Sequence, residues 1–89
     1  MIPLPLMKEN QFAVLQAETV TGIVLQVNGK RNTGQGNVYS VFDDYSSANV
    51  FARRIITEKP ETECLIYNHR QEALNYLSSL ETKDLRKEK

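Results

Sequence analysis

The sequence predicts a two-layer α+β fold, in which helices pack on a three-stranded, mainly antiparallel sheet. Three observations predict it: an amphipathic stretch over residues 46–59, strand-like segments on both sides of that stretch, and a second helical pattern after residue 68. The predicted order is strand, strand, helix, strand, helix, after an N-terminal arm or short helix. With 89 residues, the chain has room for one domain. The predicted division is 1–18 for the arm or short helix, 19–80 for the folded domain and 81–89 for a charged flexible tail.

The central helix is predicted over residues 46–59, which read SSANVFARRIITEK. The apolar residues of this stretch recur at the spacing of one buried helix face: Ala48, Phe51, Ala52, Ile55 and Ile56. Ser46 is expected to cap its start, with Tyr45 and Val50 as a hydrophobic staple. Pro60 ends the pattern, because proline cannot continue a helix.

Three segments are predicted as strands. Residues 20–28 and 37–43 are rich in β-branched and aromatic residues, and the glycine-rich loop 29–36 joins them as a long-tipped hairpin. Residues 63–67 form a short apolar third strand. We expect this third strand beside the first and antiparallel to it, which gives the strand order 2-1-3.

Two segments flank this predicted core. Residues 8–18 contain good helix formers, so one or two helical turns are favoured, with a strand as the alternative. Asn68 and Gln71 resemble a capping box that opens a last helix. The apolar face of that helix is predicted to consist of Ala73, Leu74, Leu77 and Leu80.

Composition excludes several classes of protein. Eleven basic and eleven acidic side chains balance, so the overall charge does not favour nucleic acid or an anionic membrane. The single cysteine, Cys64, excludes an internal disulfide and lies in an apolar run, which predicts a buried, reduced thiol and a cytoplasmic location. The N-terminus lacks the basic segment of a signal peptide, and no apolar run is long enough to span a membrane.

No catalytic residue, cofactor-binding residue or metal ligand set is predicted, and the chain is not expected to be an enzyme. His69 is the only histidine, and a strand separates it from Cys64. Asp43 and Asp44 precede a helix, where aspartate is expected as a cap. The glycine-rich loop leads into a strand and matches neither a Walker A loop nor a dinucleotide-binding motif.

The residues predict a small protein-interaction module that acts as a homodimer or as a subunit. One core does not use all the apolar residues, and a second subunit could cover what is left. The candidate interface consists of Ile2, Leu4, Leu6, Tyr39, Val41 and Tyr67.

Two other functions remain open. The first is nucleic-acid binding, through a candidate patch made of Lys30, Arg31, Asn32, Arg53 and Arg54. Tyr39 and Tyr67 could supply stacking in such a module. The second is an enzyme or ligand sensor that uses a cleft between subunits, for which no catalytic pair at workable spacing is found.

Overall fold

A computed structural model of the protein describes residues 4–32 and 37–85. This part of the chain forms one helix and a six-stranded antiparallel sheet. The prediction of a three-stranded sheet with several helices is therefore wrong. The elements in chain order are β1 (Phe12–Glu18), β2 (Val24–Leu25), β3 (Tyr39–Phe42), α1 (Tyr45–Glu58), β4 (Thr62–Tyr67), β5 (Ala73–Leu77) and β6 (Thr82–Asp84).

Strand β1 organises the sheet. The main strand order is β2-β1-β4-β5-β6, and β3 also pairs with β1. Strands β2 and β3 lie end to end along one edge of β1, because Phe12–Leu15 pair with β3 and Gln16–Ala17 pair with β2. The other edge of β1 pairs with β4 over six residues. A strand with both edges paired explains why 12–18 is extended, although its residues are good helix formers. The favoured helical interpretation of 8–18 is wrong, and its strand alternative is confirmed.

The predicted hairpin of 20–28 with 37–43 is also wrong in its pairing, since each segment contributes a strand to β1 instead. The strand at 20–28 shrinks to Val24–Leu25, because residues 19–22 form the turn out of β1. In that turn the Gly22 N–H donates to the Glu18 carbonyl, and Gly22 has φ 75°, which favours glycine. The predicted strand order, in which 63–67 pairs with 20–28, is also wrong. Strand β4, which contains 63–67, pairs with β1 instead.

The predicted central helix is confirmed as α1. Its buried side chains are Ala48, Ala52 and Ile56, with Phe51 and Ile55 packed at the margin of the core. The cap is Asp44 rather than Ser46: its carboxylate accepts from the Ser47 N–H at 2.7 Å, which satisfies a helix N–H that has no partner within the helix.

The predicted last helix over 68–80 is replaced by a hairpin between β4 and β5. The Asn68 side-chain oxygen accepts from the N–H groups of Arg70 and Glu72, both at 2.9 Å, so it closes a turn instead of capping a helix. Gln71 has φ 67°, a left-handed conformation that ends any helical path. The chain therefore returns beside β4 as β5. The strand predicted at 63–67 is confirmed as β4, but its partners are β1 and β5, which were not predicted as strands beside it.

The core lies between α1 and one face of the sheet. Val14, Cys64, Ile66 and Leu77 contribute buried side chains from three neighbouring strands. The Tyr45 hydroxyl donates to the Asn75 side-chain oxygen and so ties the first residue of α1 to β5. Among the residues of the predicted tail, 82–84 form the edge strand β6, and 86–89 lie outside the described residues.

Candidate functional site

One face of the sheet packs on α1, and the opposite face carries no helix in the described part of the chain. Side chains alternate between the two faces along each strand, except in β5, where a register shift places Ala73 beside Tyr67. The pairing register of the sheet therefore assigns each side chain to a face. We call the second surface the helix-free face. It consists of Ala13, Leu15, Ala17, Val24, Tyr39, Val41, Glu63, Leu65, Tyr67, Ala73, Tyr76 and Lys83.

Two tyrosines meet on the helix-free face. Tyr39 on β3 and Tyr67 on β4 have ring centroids 6.4 Å apart and planes at 85°, an edge-to-face contact. Partial burial raises the pKa of both hydroxyls, and the neighbouring Tyr67 raises the pKa of Tyr39 further. Each ring therefore offers a partly dehydrated apolar body with a polar end, a combination that is enriched at protein interfaces.

Charge is sparse on the helix-free face. Glu63 and Lys83 are its charged members, and Glu63 accepts a 2.8 Å hydrogen bond from the Tyr76 hydroxyl. That hydrogen bond raises the pKa of Tyr76 because it holds the phenolic proton. Most of the other members are apolar, and Val41 at the edge is 43% exposed. The surface therefore resembles the centre of a protein interface more than a solvated sheet face.

The predicted interface residues fall into two groups. Tyr39, Val41 and Tyr67 share the helix-free face, as the register shows. Of the N-terminal arm, Leu4 is partly buried and Leu6 is 99% exposed. Ile2 lies outside the described residues. Sequence inspection alone did not identify Ala13, Leu15 and Tyr76 as members, because their strands were predicted as helices.

Two arginines of the predicted nucleic-acid patch, Arg31 and Arg53, each bind a neighbouring side chain of the chain itself. The Arg31 guanidinium pairs with the Glu18 carboxylate at 2.8 Å, which lowers the pKa of Glu18 and raises that of Arg31. Arg53 donates to the Asn49 side chain at 3.1 Å. Lys30 is exposed.

Lys59, which was not predicted as part of the nucleic-acid patch, lies close to the loop that carries Lys30. A Cβ atom added at Gly29 would lie 2.7 Å from the Nζ of Lys59, so the end of α1 contacts the loop that carries Lys30. Arg53 and Arg54 lie further back along the helix, by roughly 8 Å at 1.5 Å per residue. The sequence places Lys59 at the end of the predicted helix. Its approach to the loop at Gly29 is seen only in the tertiary structure.

The residues considered for chemistry are separated. Cys64 is fully buried on the α1 side of the sheet, and burial raises the pKa of its thiol to about 12. This confirms the predicted burial of the thiol. His69 lies in the β4–β5 turn, and Asp43 accepts a hydrogen bond from the Gln11 side chain.

Residues 4–32 and 37–85 contain neither a cluster of metal ligands nor a membrane-spanning helix. No group of three or more His, Cys, Asp or Glu side chains lies close enough there to hold a metal ion. The single helix in those ranges is too short and too polar to cross a membrane.

Comparison of the chain with protein-family models, with curated proteins and with solved structures finds no match.

Proposed function

We propose that this chain is a non-enzymatic protein-interaction module that pairs with a second copy through its helix-free face. The observation that carries the proposal is the apolar, aromatic character of that face. Register places Tyr39, Leu15, Leu65 and Tyr76 in one continuous row across four strands. Tyrosine anchors surrounded by small apolar residues are typical of interface centres.

A second copy is the favoured occupant because the face lacks a strong charge of either sign. A face dominated by one sign would repel its own copy, whereas this face carries one acidic and one basic side chain, Glu63 and Lys83, and Tyr76 adjoins both of them. A symmetric dimer presents the same patch on both partners, so a self-complementary apolar surface suits it. The buried thiol of Cys64 supports a reducing location such as the cytoplasm.

Sedimentation velocity over a concentration series tests the proposal. The wild-type chain should show a monomer–dimer equilibrium, and Val41→Glu should shift it to monomer by placing a charge in the interface. Val20→Glu is the matched control, because Val20 is 92% exposed in the β1–β2 turn and away from the face. A wild-type chain that remains monomeric at about 1 mM would exclude self-association of useful strength.

We propose nucleic-acid binding as a second candidate, supported by the contact between Lys59 and the loop that carries Lys30. Two cations near one loop could contact adjacent phosphates, and Tyr39 and Tyr67 could stack on bases. Fluorescence anisotropy with labelled single- and double-stranded oligonucleotides measures this. Binding should weaken steeply with salt and fall in a Lys30→Glu, Lys59→Glu double variant. No binding at about 50 mM salt removes this candidate.

A further inference from the structure

A groove of about 320 Å³ separates strand β3 from helix α1. Its lining consists of Phe42, Ser46, Ser47, Val50, Phe51 and Arg54. We call it the β3–α1 groove. It opens at the side of the sheet, where its helix residues adjoin the edge strand, and it is distinct from the helix-free face.

The groove has an apolar floor that the fold leaves open. The rings of Phe42 and Phe51 pack with centroids 5.0 Å apart and form the floor. Val50 is 57% exposed beside them, although it lies on a helix whose other apolar residues face the core. An apolar side chain from a partner would cover all three residues.

Two polar side chains of the groove, Ser47 and Arg54, differ because, within the described ranges, the first already has an acidic partner and the second does not. The Ser47 hydroxyl donates to the Asp44 carboxylate at 3.1 Å, so the end near the start of α1 already holds an anion. Arg54 lies two turns further along the helix and has no acidic partner among residues 4–32 and 37–85. Its guanidinium is the one charged group in the lining, so it selects a carboxylate.

The edge of the sheet beside the groove can accept another strand. In the described part of the chain, β3 pairs with β1 as its strand partner. The Val41–Phe42 end of β3 adjoins the groove through the Phe42 side chain. An extended peptide that adds to this edge would direct alternate side chains towards α1.

From these observations we propose that the β3–α1 groove binds an extended segment of a partner protein, which carries one apolar side chain close to an acidic residue. The peptide backbone adds to the end of β3, the apolar side chain packs on Phe42, Val50 and Phe51, and the carboxylate pairs with Arg54. A basic peptide is disfavoured because it would place a cation beside Arg54. The groove is thus a recognition site in addition to the self-association surface.

Selection from a library of random dodecapeptides displayed on phage tests this, with the full chain immobilised. Wild-type chain should enrich peptides in which Asp or Glu lies within a few positions of an apolar residue. Arg54→Glu should replace that preference with Lys or Arg and weaken an enriched acidic peptide about tenfold or more. Val50→Gln, a substitution that a helix surface tolerates, should abolish the enrichment.

Arg53→Glu is the matched control, since it makes the same charge change one residue away, outside the groove lining. It should keep the acidic preference. The proposal is overturned by no enrichment on the wild-type chain above that on Val50→Gln, or by an acidic preference that survives Arg54→Glu. It is also overturned if Arg54→Glu dissociates a dimer, or if peptides bind only after residues 1–8 are deleted, because the occupant is then a second copy or the chain's own arm.

Discussion

Ala13 lies directly opposite Tyr67 in the register between β1 and β4, and its side chain is fully buried. Tyr39 belongs to β3 on the other side of β1, so the two rings meet across the strand that carries Ala13. A methyl side chain at position 13 leaves room for this contact. The aromatic pair of the helix-free face therefore spans β1 diagonally, since Tyr67 is paired with Ala13 and Tyr39 with Leu15.

A double-mutant cycle on Tyr39→Leu and Tyr67→Leu should measure a favourable coupling of about 0.5–1.5 kcal/mol in the free energy of unfolding. The physical reason is the edge-to-face contact between the rings, which either single substitution removes. Urea unfolding of the four proteins gives the value. Tyr39 and Tyr76 lie three strands apart in the same row, so their cycle is the control and should give almost no coupling. Equal coupling in both cycles would contradict the direct contact.

Asp44→Ala should destabilise the protein by about 1 kcal/mol, because the first turn of α1 loses its cap. Asp44→Asn should keep most of the stability, since an amide oxygen can accept the same N–H. Asp43→Ala is a neighbouring control, as Asp43 contacts Gln11 and not the helix N–H groups. Thermal unfolding followed by circular dichroism ranks the three variants, and a larger loss for Asp43→Ala would be inconsistent with the assigned cap.

Cys64 should resist thiol reagents while the chain is folded. Its pKa of about 12 and its full burial leave only about one thiolate in ten thousand at pH 8, with no access for the reagent. Labelling with a chromogenic disulfide at pH 8 should therefore follow the opening of the structure and accelerate with urea. Because the chain has one cysteine, the signal reports a single site. Full labelling in the mixing time without denaturant would contradict the buried position.

The ion pair between Glu18 and Arg31 predicts that the free energy of unfolding falls as the pH is lowered. The hydrogen bond from Arg31 lowers the pKa of Glu18 in the folded state below its ordinary value of 4.5, so the carboxylate stabilises the fold above that value. The stabilisation is lost as pH falls through the folded pKa. Glu18→Gln should therefore unfold at lower urea than the wild type at pH 7, and the two should converge once the pH falls below the folded-state pKa of Glu18.

The difference should be small at pH 7, because the pair is exposed and screened by solvent. Glu81→Gln is the matched control, since its partner Lys83 lies further away, at 3.6 Å. If the wild type and Glu18→Gln differ as much in acid as at neutral pH, the ion pair is not the cause.

Part of the site could be predicted from sequence and part could not. Tyr39, Val41 and Tyr67 were identified from alternation within strands, and the structure places all three on one face. Ala13 and Tyr76 were not identified, because each lies in a segment whose local pattern favours a helix. The composition of residues 8–18 gives no signal that both edges of that segment would be paired.

The sequence by itself determined α1 and β4. Helical periodicity, a capping aspartate and Pro60 act within one segment, so no distant partner is needed to define the helix. Tertiary structure decided β1, whose backbone hydrogen bonds are made to residues far along the chain, and β5, which forms because the Asn68 turn returns the chain beside β4. Local preferences are worth only tenths of a kcal/mol per residue, so the pairing of β1 with β4 and the Asn68 turn outweigh them.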